Sequence, residues 1–65
     1  MFDNEQDKKL AQDIVDYRAK HSMSQREFAE KCKVSVQTVY HLESGIQSPS
    51  RVTRAKIKLV IGGEE

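Results

Sequence analysis

Ser24 and Ser35 each open a short run of helical character, and only Lys33-Val34-Ser35 separates the two runs. The stretch SQREFAEKCKVSVQTVYHLESG, residues 24 to 45, is therefore expected to form two helices joined by a very tight turn. Neither run is long enough to stand alone, because isolated helices shorter than about 12–15 residues are marginal in water. Ser24 followed by Glu27 is a capping-box signature, and Met23 is placed to staple onto Phe28. Phe28, Ala29 and Cys32 form the apolar stripe of the first run. Ser35 caps the second run, Val39 and Leu42 face its core side, and Gly45 ends it where left-handed backbone is needed. Two helices with one narrow stripe each must be covered by further helices.

The rest of the chain supplies them. A first helix is expected to start after Asp3 or Asn4, either of which can cap it. Its early acids, Glu5 and Asp7, suit the positive end of the helix dipole. Leu10, Ile14 and Tyr17 recur at i, i+4 and i+7, Ala11 and Val15 widen that stripe, and the helix is expected to end near His21-Ser22. After a loop at Ile46-Gln47-Ser48-Pro49, Ser50 caps a fourth helix. In it Val52, Ala55 and Leu59 are expected to turn inward, with Ile57 and Val60 as further candidates, and Gly62-Gly63 stop it. Period-two alternation is absent, so the fold class is all-α. Residues 1–65 are expected to form one small domain that buries only about 60% of its unfolded surface.

Composition narrows the function classes. With Cys32 as the single cysteine, no intramolecular disulfide can form, which suits a reducing cytoplasm, and Cys32 reads as a small buried apolar residue. One cysteine and two distant histidines have no zinc-ligand spacing, and no cofactor or small-molecule ligand is expected. The longest apolar run is Leu59-Val60-Ile61, far short of a membrane span, and a cytoplasmic location is expected. Paired carboxylates in a pocket, a nucleophile with its base and a phosphate-cradling glycine loop are all missing, so the chain does not read as an enzyme. The net charge of +1 hides an asymmetry: residues 17 to 58 carry nine basic and three acidic residues, while residues 1 to 16 carry two basic and five acidic ones. Positive charge concentrated on the two-helix unit is compatible with a polyanionic partner.

With Val39 and Leu42 inward, Gln37, His41 and Ser44 point away from the core, Thr38 and Tyr40 sit on the flanks, and Val36 lies at the helix tip. Plain solvated faces normally carry Lys and Glu. This face offers amides, hydroxyls and an imidazole, and Glu43 is its sole charge. Uncharged donors and acceptors are what reading base edges in the major groove requires.

In residue type and spacing, this segment resembles the helix-turn-helix of the Xre/Cro-like phage repressor family: Ser-Gln, an apolar residue and Ala, a tight turn, Val-Ser, an apolar residue, then Leu-Glu-x-Gly. The likeness runs from about residue 10 to residue 61. It implies a lambda-repressor-like domain of four helices, derived from a five-helix plan, because no fifth helix precedes Gly62-Gly63-Glu64-Glu65. Lys33 stands where the family usually has glycine.

The resemblance also assigns roles. Gln25 matches the family glutamine that bonds a DNA phosphate and braces the recognition helix. Arg18 and Glu43 match an ion pair that ties helix one to helix three. Val36, Gln37, Thr38 and His41 become the candidate base readers, and Lys33, Ser35, Tyr40, Ser44 and Arg51 candidate phosphate contacts that position without reading sequence. For Arg51 and Arg54, phosphate contact and plain solvation remain open alternatives. The implied function is a sequence-specific DNA-binding transcriptional regulator, a repressor, using helix 36–44 on double-stranded DNA as a homodimer, with Ile46, Ile57 or Ile61 as its seam. The alternative is a protein-interaction module, an antitoxin or antirepressor, on the same scaffold.

Overall fold

Three serines punctuate the chain, and a helix begins after each. The computed structural model describes residues 5–62, in the order α1 (Glu5–His21), α2 (Gln25–Cys32), α3 (Val36–Ser44) and α4 (Arg51–Gly62). The candidate caps of α1, Asp3 and Asn4, lie outside the described residues, as does Gly63. At α2 the capping box is complete: Glu27 N–H donates to Ser24 Oγ at 3.0 Å, and Ser24 N–H donates to Glu27 Oε1 at 2.9 Å. Ser35 and Ser50 accept from the amides of Thr38 and Thr53 in the same way.

The α2–α3 turn takes its sharpness from Lys33, which adopts left-handed backbone at φ 60° and ψ 44°. Val34 N–H then reaches back to Ala29 C=O at 3.0 Å, satisfying a carbonyl that the helix end would leave orphaned. Left-handed geometry is costly for a residue with a Cβ. Here it lets α2 and α3 pack chiefly on each other, α3 also against α1, and α4 across α2 and α1.

The core is one cluster: Leu10, Ile14 and Tyr17 from α1, Phe28, Ala29 and Cys32 from α2, Val39 and Leu42 from α3, and Ile57 from α4. Met23, Val34, Val60 and Ile61 pack around it half-buried. Tyr17 and Phe28 meet edge to face with ring centroids 5.7 Å apart. Burial pushes the Cys32 thiol up to about 11, so it stays neutral and apolar.

Two expectations about apolar stripes need correction. Val15 is 41% exposed, because the inward face of α1 is already filled by Leu10, Ala11, Ile14 and Tyr17. In α4 the phase is different from that expected. Val52 is 63% and Leu59 76% exposed and Ala55 is exposed too, whereas Ile57 is fully buried and Val60 and Ile61 are half-buried. The rotation has a polar cause. Asp7 of α1 is buried, accepts from Arg54 at 2.6 Å and from Ser48 Oγ at 2.5 Å, and so draws the Arg54 side of α4 toward α1. Both contacts hold the Asp7 carboxyl below the usual carboxylate range, Ser48 having the larger effect and Arg54 the next. Arg54 is thus ion-paired with Asp7 rather than simply solvated. Full burial also removes Ile57 from any seam between copies.

Candidate nucleic-acid interface

A nine-residue helix can present a reproducible face only if its roll and both ends are held. For α3 they are. Ser35 Oγ accepts the Thr38 amide at 3.1 Å and lies 2.8 Å from the Thr38 hydroxyl. At the other end Gly45 takes φ 75°, and Ile46 N–H donates to His41 C=O at 3.0 Å. Val39 and Leu42 are buried against α1 and α2.

The roll is set by Glu43. Arg18 of α1 donates to both its oxygens, at 2.9 and 2.8 Å, in the fork geometry that suits guanidinium and carboxylate. Gln25 Nε2, at the first position of α2, donates to Glu43 Oε1 at 3.0 Å. Arg18 Nε also donates to Met23 C=O at 3.2 Å, anchoring the chain just ahead of α2. One carboxylate therefore joins three helices. Its side chain is 12% exposed and that of Arg18 is 22% exposed, so the network is sheltered without being sealed.

The outward face of α3 then carries Val36, Gln37 and Tyr40 exposed, with Thr38, His41 and Ser44 half-buried beside them. The Tyr40 and His41 rings lie 5.9 Å apart. Ser35 is exposed one residue before the helix, and Lys33 and Arg51 are exposed on the turn before α3 and at the start of α4. In the Ser35–Thr38 hydroxyl pair only one proton is used, so the other remains for a further acceptor. Gln25 likewise gives one amide proton to Glu43 and keeps a second.

Eight-residue α2, a turn through left-handed Lys33 and nine-residue α3 braced by Glu43 form a helix-turn-helix, and a family model with that description matches residues 14–56. The chain belongs to the Xre-like helix-turn-helix family. No curated protein and no solved structure matches it significantly. Membership in this family of DNA-binding regulators makes the chain a DNA-binding helix-turn-helix regulator. No described helix is long and apolar enough to cross a membrane.

Sequence reasoning missed the Asp7–Ser48–Arg54 cluster. It ties α1 to the loop that follows α3 and to α4. Asp7 and Arg54 are 47 residues apart, and no local pattern links positions so distant. The one available signal was an acid in the first turn of α1, which dipole compensation explained just as well.

Proposed function

We propose that the protein is a sequence-specific, cytoplasmic transcriptional repressor that binds double-stranded DNA as a homodimer and reads the major groove with α3. The observation that carries this reading is the outer face of α3: its roll is held by Glu43, it presents amide, hydroxyl, phenol and imidazole groups, and it bears no Lys or Arg. Direct readout needs such groups in fixed positions, since a bidentate contact tolerates little misplacement.

Within that reading Gln37 pairs with N6 and N7 of an adenine, Val36 and the Thr38 methyl meet thymine methyls, and His41 donates to a neighbouring base. Gln25, through its second amide proton, binds phosphate together with Lys33, Ser35, Tyr40, Ser44 and Arg51, which sets register without reading sequence. The commonest guanine contact, a bidentate arginine, cannot come from α3, so half-sites lean toward A·T pairs. One short helix covers few base pairs, and two half-sites about 34 Å apart restore useful specificity.

Selection of binding duplexes from a random pool tests this. An enriched A·T-leaning motif is expected, and Gln37→Ala should then cost about 1–3 kcal/mol on the preferred site while relaxing one base pair. A motif of successive G·C pairs indifferent to Gln37→Ala would remove α3 as the reader. A flat profile alongside tight capture of a protein partner would favour the interaction-module alternative.

A further inference from the structure

We propose that Asp7 is a positioning residue for DNA binding: by holding Ser48 and Arg54 on one carboxylate, it sets where Arg51 meets the phosphate backbone. The inference rests on the reading of Arg51 as a phosphate contact and names the group that puts it there.

Arg51 is exposed at the start of α4, three residues after Ser48 and three before Arg54. Both of those residues end on Asp7. Ser48 Oγ donates to one carboxylate oxygen at 2.5 Å, and Arg54 donates to the other at 2.6 Å. The segment between the two tethers has little slack. Ser50 Oγ accepts the Thr53 amide at 3.2 Å, and Arg54 N–H donates to Ser50 C=O at 2.9 Å, so the first turn of α4 is closed. Residues three apart on a helix are surface neighbours, so fixing Arg54 fixes the point from which Arg51 reaches out. Ahead of that turn Ile46, Gln47 and Ser48 are exposed, and the bond to Asp7 ties this outer stretch to α1.

Asp7 acts through the groups it holds. It is 5% exposed, and its charge is of the same sign as a phosphate, so it makes no DNA contact of its own. It also divides the work among the cations of α4, which are Arg51, Arg54, Lys56 and Lys58. Arg54 is spent on Asp7, and the Lys56 ammonium turns toward Lys33 C=O at 3.4 Å. Arg51 is the cation next to the loop that leaves α3. Glu43 thus holds α3, and Asp7 holds the cation beyond the loop. A charge-assisted bond to phosphate is made at about 2.7–2.9 Å, so a loop and first turn released from their tether lose that contact.

The test is a double-mutant cycle between Asp7→Ala and Arg51→Ala in the full chain. Affinity is measured on a random-sequence duplex over a range of salt, at a temperature where melts show every variant folded. Each single variant should bind about tenfold more weakly, and each should lower the slope of log affinity against log salt by about 0.9, the signature of one lost phosphate. The double variant should bind no more weakly than Arg51→Ala alone. Ser48→Ala changes an exposed loop residue and stands in for Asp7→Ala if that variant does not fold. It should show a smaller loss that likewise vanishes in the Arg51→Ala background. Additive losses overturn the proposal, since they make Asp7 a support of the fold without a link to Arg51. Tighter binding by Asp7→Ala also overturns it, because the carboxylate would then be keeping Arg54 from the DNA. If Arg51→Ala by itself leaves affinity and salt slope unchanged, the reading of Arg51 as a phosphate contact fails, and the proposal fails with it.

Discussion

Helices α3 and α4 are both short, both capped by a serine and both amphipathic, yet they relate to the core in different ways. α3 has one apolar pair, Val39 and Leu42, that can face inward while its amides and hydroxyls face out. Two other helices, α1 through Arg18 and α2 through Gln25, then grip Glu43 and hold the roll. α4 carries two stripes of equal regularity: Val52-Ala55-Leu59, and Arg54-Ile57-Ile61. The second one turns inward, with Ile57 buried and Arg54 and Ile61 half-buried, although it contains a cation, because Asp7 of α1 receives that cation. A helix with one stripe announces its orientation. A helix with two leaves it to whichever neighbour supplies a partner for the polar member.

The largest expected effect breaks this comparison inside α4 itself. Ile57→Ala should lower stability by about 3 kcal/mol, since it empties a fully buried site. Leu59→Ala, two residues on, should stay within about 0.5 kcal/mol of wild type. Chemical denaturation of both variants measures the difference, and equal losses would mean that the helix is rolled otherwise.

Next comes the grip on α3. Arg18→Met or Glu43→Gln should each cost about 2 kcal/mol, less than for a fully buried pair because both side chains keep some exposure. The double variant should cost less than the sum of the two. Additive losses in thermal melts would show that the two residues act separately.

A smaller effect sharpens the role of the turn. Lys33→Gly relieves left-handed strain and should raise stability by about 0.5–1 kcal/mol, partly offset by the greater freedom of the unfolded chain. If Lys33 also meets phosphate, the same change should weaken binding to specific and random DNA alike. A variant both more stable and equally tight on DNA would leave Lys33 a purely local role.

The smallest effect concerns the polar anchor of α4. The Asp7 carboxyl titrates below its unfolded value, so its contribution to stability is present above about pH 4 and is lost as pH falls through the folded value. Asp7→Asn should therefore flatten the acid limb of a stability–pH curve and leave the region above pH 6 parallel to wild type. An acid limb of unchanged slope would show that other carboxylates dominate it.

Local chemistry alone determined much of this protein. The serines at 24, 35 and 50 mark three helix starts, because each supplies an acceptor for an amide that the helix cannot satisfy itself. Gly45 marks an end, and the stripes of α1, α2 and α3 pick out the core residues Leu10, Ile14, Tyr17, Phe28, Cys32, Val39 and Leu42, since in each the periodicity admits one inward face. The outward set on α3 follows from the same wheel. Tertiary structure decided three things. It gave α4 its phase, it tied Gln25 to Glu43, and it buried Asp7 with Ser48 and Arg54. Each depends on groups that are distant in sequence and meet only once the helices pack. A polar group's partner is set by that packing, whereas a cap or an apolar stripe is set within a few residues of itself.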